Sequence, residues 1–278
     1  MAMGLQPVAE ADWLEFADDH AMQMAERRRL LREQAGDVLA CLPEAQAASG
    51  ELGEMLVGHL LRHHPCWFSR NGDRLQNALT GEQHDLAGAP LDLCGRLVQE
   101  DFCLLQPSAE GHVLTGAVLC FPSRWRLAEK LGLALPGVHG PVPFYGDRLA
   151  HPVERFFQSL KPGRIVQRLN WSVMDDPALF QPGGHHEAEV NRDVTAGNAL
   201  QRLYLRVERQ TFRKLPQSQA VAFGIRIHVT PLAEVVRVPG EGERLRGALA
   251  ALPPEMALYK SAGRFSVALQ AALGKDRQ

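Results

Sequence analysis

Three runs in the second half of the chain alternate apolar and polar residues with period two, the pattern of a strand with one face buried. In residues 164–173, Ile165, Leu169, Trp171 and Val173 share one face, and Arg164, Arg168, Asn170 and Ser172 the other. In residues 202–210, Leu203, Leu205 and Val207 alternate with Arg202, Tyr204, Arg206 and Glu208. In residues 220–229, Val221, Phe223, Ile225, Ile227 and Val229 alternate with Ala220, Ala222, Gly224, Arg226 and His228. The connection TFRKLPQSQ is short enough to make the last two runs a hairpin, whereas residues 174–199 form a long polar excursion of the kind used as a lid or partner surface. The pattern predicts an antiparallel sheet.

Upstream, residues 96–105 and 112–121 are two β-prone apolar runs around QPSAEG, a second hairpin. Helical spacing marks residues 10–33, with acids early and arginines late as the helix dipole favours, and with Met22, Met24, Leu30 and Leu31 toward the body. A second helix covers residues 50–63 and stops before Pro65; a polar connection follows at residues 80–95. A helix at 153–160 ends at Pro162 and Gly163, and residues 242–273 give two amphipathic helices broken at Pro253 and Pro254. Helix-rich ends around an antiparallel centre make the fold α+β.

Between the second hairpin and the alternating strands lies FPSRWRLAEKLGLALPGVHGPVPFY, residues 121–145. Pro122 and Ser123 mark a helix start and Gly132 a stop. His139 then sits in a loop with Pro136, Pro141 and Pro143 around it; each proline fixes its own φ, and the last two restrict the residue before them. A histidine held that firmly is a candidate ligand.

Composition narrows the function classes. Apolar residues at 45%, charged residues at 22% and a formal charge of -2 give no electrostatic reason for nucleic acid or an anionic membrane as partner. No apolar run approaches the roughly 20 residues of a bilayer span, and the acidic N-terminus lacks a signal-peptide layout, so a cytoplasmic protein is expected. Cysteines 41, 66, 94, 103 and 120 form no C-x-x-C pair and read as buried or partly buried thiols.

The common catalytic fingerprints for nucleotides, serine hydrolysis and zinc proteolysis are absent from the sequence. Without C-x-x-C-H, any haem would be held non-covalently through an axial side chain. His139 is the most constrained candidate, with Cys120 as a thiolate rival. His63 and His64 are adjacent and so do not share a helical face, and His185 and His186 read as part of a solvated, Gly-flanked loop. Two readings of the polar sheet face stand side by side: it meets water, or its small residues Ala220, Ala222 and Gly224 leave room for a bulky flat ligand.

The blocks VQEDFCLL, LCFPSRWRLAEKLGLALPGVHGPVPFY, RFFQSLKPGRIVQRLNWSV and LYLRVERQTFRKLPQSQAVAFGIRIHV, across residues 97–235, resemble the haem-dependent oxidative N-demethylases, the haem subunit of dimethylamine monooxygenase. The resemblance implies one PAS-like haem domain over residues 1–278, an antiparallel sheet with an N-terminal helical extension to about residue 90 and C-terminal helices from about 241. It implies haem b, with electrons from a separate NAD(P)H, flavin and iron–sulfur reductase. The implied reaction uses O2 to oxidise a small secondary methylamine such as dimethylamine, releasing formaldehyde and a primary amine. His139, in the stretch similar to the family's H-x-P-V-P element, becomes the expected axial metal ligand, with His228 as second choice. Glu208 and Arg226 are expected on the oxygen-facing side, with Tyr145 at its rim. Arg124 and Arg126 are placed to reach haem propionates, and Trp125 or Trp171 to pack on the porphyrin. The alternative is a non-catalytic haem PAS sensor or ligand-binding module.

Overall fold

The computed structural model describes residues 4–183, 191–260 and 262–274. Ten strands are present among them: β1 Gln6–Val8, β2 Leu39–Cys41, β3 Phe68–Asn71, β4 Arg74–Asn77, β5 Glu82–Asp85, β6 Asp101–Ser108, β7 Gly111–Val118, β8 Ile165–Met174, β9 Tyr204–Lys214 and β10 Val221–Pro231. Seven form one antiparallel sheet in the order β1-β8-β9-β10-β6-β7-β2, and β3-β4-β5 form a small second sheet. Helices precede, separate and follow these mostly antiparallel strands, so the fold is α+β.

Both predicted hairpins form, β6 with β7 and β9 with β10. Residues 96–100 do not join the first one, because the helix Pro90–Leu97 precedes β6 and begins with proline at its first turn, where no amide donor is lost. The stretch expected as a helical extension contains the helices His20–Glu33 and Gln46–His63 but also β1 to β5. Residues 10–33 do not make one helix: Glu10–Asp12 is a single 3₁₀ turn, and the α-helix starts at His20. At the C-terminus Pro254 opens a short helix of its own, Pro254–Tyr259, between Glu241–Ala250 and Ser266–Leu273.

Register decides what each sheet face carries. Glu208 pairs with Asn170 and Ile227, whereas Arg226 pairs with Arg209, which pairs with Leu169. Directly paired residues point to the same side, so the apolar row of β10 and the polar rows of β8 and β9 share a face. No face of the central strands is simply wet. The N-terminal segment covers one face, where Arg209 donates to the Asp12 and Trp13 carbonyls and Arg213 pairs with Glu10. The chain around residues 121–145 and 175–182 bears on the other.

The main core runs from Trp13 and the Gln46–His63 helix to Phe102, Phe121 and Ile227. A second cluster joins Val173 and Leu203 to Leu232, Leu249, Phe265 and Leu269, and so fixes the C-terminal helices to the end of the sheet.

Candidate functional site

The site is assembled from one buried carboxylate outward. Asp101, at the start of β6, accepts hydrogen bonds from the backbone amides of Cys120 (2.7 Å) and Phe121 (2.8 Å) and from Arg27 Nη1 (2.6 Å). Both ionic side chains are fully buried, so each depends on the other for its charge. The two amide bonds fix where the chain leaves β7.

The next residues are tied to β9. Arg206, buried on that strand, donates to the carbonyls of Phe121 (2.8 Å), Ala178 (3.1 Å) and Leu179 (3.1 Å) and to Ser123 Oγ (2.9 Å). It thereby holds the 121–123 turn and the first part of the long excursion to one strand. Arg124, at φ 63°, donates its amide to the Gln181 carbonyl at 2.7 Å, which aligns the two segments further. A left-handed non-glycine residue costs backbone energy, here at a junction of three segments.

Ser123 donates to Glu208 Oε1 at 2.6 Å. Glu208 Oε2 also accepts from Gln210 Nε2 (2.7 Å) and Asn170 Nδ2 (3.3 Å). Arg168 pairs in register with Gln210 and therefore lies on the same face. Glu208 is the anion that acts on Arg168, Lys130 and Lys260 together.

Burial lowers the pKa of Lys260 to about 8, against the opposing pull of Glu208. Its ammonium donates to Asn170 Oδ1 (2.8 Å) and the Trp171 carbonyl (2.7 Å), and lies 5.0 Å from the centre of the Trp171 ring. Burial also lowers Arg168 and Lys130, and pushes the Tyr259 phenol up to about 12. The region is rich in cations that have been taken out of water.

His139 ends the helical turn Leu135–Val138, in which Pro136 fills the first turn. Its Nδ1 lies 2.9 Å from the Leu135 carbonyl, an acceptor only, so Nδ1 carries the proton. Nε2 is left with no protein partner among the described residues. Burial, aided by Lys130 and Arg168, lowers the imidazole pKa to about 4 and keeps it neutral at pH 7.

The ring stacks on Tyr145, which follows Phe144 in the left-handed region at φ 61° and opens the π-helical turn Tyr145–Leu149. Such turns and strained residues concentrate where function demands them. Tyr145 is buried, its hydroxyl has no hydrogen-bond partner among the described residues, and burial raises its pKa to about 12.

Of the residues selected from sequence, the structure brings His139, Tyr145 and Glu208 into one electrostatic neighbourhood, linked through Arg168 and Lys130. Arg124 joins its margin, half-buried and 3.8 Å from Asp175. Arg126 is exposed at the start of the turn Leu127–Lys130.

Arg226 does not join them. It projects from the other face, where it is fully buried and bonded to Asp19 (2.6 Å) and Gln23 (2.8 Å). His228 shares that face and bonds Glu15 at 3.0 Å. Trp171 also alternates away from Glu208 and packs against the C-terminal cluster. The small residues of β10 leave no space there: a Cβ on Gly224 would meet Thr211 Oγ1 at 2.5 Å and the Phe102 ring at 3.2 Å. Cys120 is buried, and that burial pushes its thiol up to about 12. His185 and His186 lie outside the described residues.

Sequence reasoning missed Arg168, Lys130, Tyr259 and Lys260 as site residues. Arg168 was visible on the polar row of β8, in the same row as Asn170. Tyr259 and Lys260 come from beyond Pro254, and nothing in their local sequence points to β8.

A surface groove beside the small sheet is lined by Arg74, Glu82, His84, Asp85, Asp92 and Arg96. Within it Arg96 pairs with Asp92 and Arg74 with Asp85. No helix among the described residues is long and apolar enough to cross a membrane. Over residues 4–270 the chain matches the family described as haem-dependent oxidative N-demethylase, alpha subunit-like, and it belongs to that family.

Proposed function

We propose that this chain is the haem-carrying subunit of a cytoplasmic amine monooxygenase, a single PAS-like domain whose haem b is held by residues of the His139 segment and of the Glu208 face. The observation that carries the reading is the state of His139: neutral, oriented through Nδ1 by the Leu135 carbonyl, and with Nε2 unengaged. That is the arrangement of a ligating imidazole. The surroundings suit the group as well. Arg168 and Lys130 have no carboxylate within ion-pairing distance among the described residues, as propionate partners would require, and the Tyr145 hydroxyl is an unused donor.

Bound haem iron supplies the activation of dioxygen. The chain's own residues do the rest. Glu208 attracts the ammonium form of a small secondary amine and accepts its proton at Oε1 or Oε2. Lys260, its pKa lowered to about 8 by burial, is tied to the same carboxylate through Asn170, which accepts from the ammonium at Oδ1 and donates to Glu208 from Nδ2. Tyr145 donates from its hydroxyl, and Arg168 balances negative charge on the same face. Arg226, on the other face, holds the N-terminal helix and leaves the substrate side to Arg168.

The reaction consumes dimethylamine, dioxygen, two electrons and two protons, and releases methylamine, formaldehyde and water. One oxygen atom enters a methyl group, whose C–N bond then breaks; the other leaves as water. The electrons come from a separate subunit carrying flavin and an iron–sulfur centre and drawing on NAD(P)H.

Reconstitution with haem tests this. A Soret band with one haem per chain, followed by formaldehyde release from dimethylamine once a reductase is added, is the expected outcome. A chain that takes up no haem contradicts the reading. Haem uptake and reduction without formaldehyde from any small methylamine leaves a ligand sensor instead.

A further inference from the structure

On the face of the sheet away from Glu208, the helix Gln46–His63 presents His59 and His63, four residues apart in HLLRH and hence on one helical face. Considering only the adjacent pair His63 and His64 hides this spacing. Glu10, from the 3₁₀ turn after β1, reaches the same point, and one ligand atom from each of Glu10, His59 and His63 lies within 4.8 Å of the others.

The histidines have the polar atoms of a site and, among the described residues, no hydrogen-bond partner for three of their nitrogens. The His59 side chain is 1% exposed, and among the described residues neither ring nitrogen makes a hydrogen bond; His63 Nε2 is also buried and without a hydrogen bond there. A buried imidazole without a hydrogen bond is costly, because its desolvation is left uncompensated. Glu10 Oε1 lies 3.6 Å from His59 Nδ1. That is close to the separation of about 3.4 Å between neighbouring ligands of a tetrahedral ion bound at 2.0–2.2 Å.

We propose that Glu10, His59 and His63 bind a first-row divalent transition metal, with zinc as the fitting example, at a site separate from the haem. Two imidazoles and one carboxylate are a borderline donor set, suited to zinc, copper or nickel rather than to calcium or magnesium. Access is from the Glu10 side, which is partly exposed. Arg213 donates to Glu10 Oε1 at 2.8 Å and packs over the Trp13 ring, so it orients the carboxylate from outside the ligand set. Trp13 in turn meets His59 edge-on at 5.1 Å.

The bound ion would clasp three elements: the segment after β1, the Gln46–His63 helix and, through Arg213, β9. Its role is structural, joining the N-terminal segment to the sheet face that it covers.

The test uses the full chain, freed of metal by chelator, with zinc alone as probe in calorimetry and cobalt(II) as an optical reporter. The expected result is one zinc equivalent, a tetrahedral cobalt spectrum and a zinc-dependent rise in the unfolding temperature. Affinity is expected to fall about 10-fold or more in both His63→Gln and Glu10→Gln, at least the loss seen for residues one shell further out. Circular dichroism checks that each variant is folded, and His63, only half-buried, carries the test if a change at His59 prevents folding. Absence of binding in the wild type, or unchanged affinity in both variants, overturns the proposal. Neither outcome bears on haem uptake at His139, which is read independently from the Soret band.

Discussion

The imidazole of His139 lies flat against the phenol of Tyr145, with ring centroids 4.3 Å apart and planes 5° from parallel. The stack, together with the Leu135 carbonyl, holds the imidazole from its face and from Nδ1, so the ring has little freedom to turn. Tyr145→Phe retains the stack and removes an unpartnered buried hydroxyl. The haem-free protein is expected to gain up to about 1 kcal/mol in urea unfolding. Formaldehyde formation by the loaded enzyme is expected to fall, because the donor is gone. Tyr145→Ala removes the ring itself and is expected to cost about 3–5 kcal/mol.

Glu208 and Arg226 separate in function because the register of β9 and β10 sends them to opposite faces. Arg226→Met breaks the bonds to Asp19 and Gln23 and is expected to destabilise by about 1–3 kcal/mol, discounted because Asp19 is partly exposed. Its folded fraction is expected to show the wild-type haem spectrum. Glu208→Gln is expected to do the reverse, disturbing amine turnover more than the unfolding midpoint. A shifted haem spectrum in Arg226→Met would mean that the two faces are coupled.

This pair also shows what the sequence could and could not reveal. Period-two patterning located β8, β9 and β10, and the proline spacing around His139 identified its constrained setting. Alternation is a local property, however, and says nothing of which row in one strand adjoins which row in the next. Arg226 looked like a partner of Glu208 because both sit on polar rows, yet register joins the polar row of β9 to the apolar row of β10. Lys260 was out of reach for another reason: its contact with Asn170 spans most of the C-terminal half of the chain and depends on how the helix after Pro254 packs.

Asp101 makes a prediction about how the fold supports the site. Asp101→Asn removes the charge opposing a fully buried Arg27 and weakens the bonds to the Cys120 and Phe121 amides. A loss of about 3–5 kcal/mol is expected by chemical denaturation. Because those amides set the position of Ser123, and through it Glu208, weaker haem retention is expected in whatever fraction still folds. Near wild-type stability would show that the pair contributes little.

Lys260 gives a pH dependence with a definite sign. Its folded value of about 8 lies below the ordinary lysine value of 10.5, so between the two the unfolded chain binds more protons. Stability from this group therefore rises with pH across that window, and the cost of keeping a buried ammonium is fully present below it. Measured as urea midpoints, the wild type is expected to gain on Lys260→Met between about pH 8 and pH 10.5. A difference that stays flat or narrows with rising pH contradicts the assignment.

The central claim is that haem is held through His139, and the absorption spectrum of the reconstituted ferric protein, with imidazole rescue, tests it most directly. The wild type is expected to show the Soret and visible bands of an axial-histidine haem. His139→Gly is expected to lose them and to regain them when free imidazole is added. An unchanged axial-histidine spectrum in His139→Gly would contradict the claim.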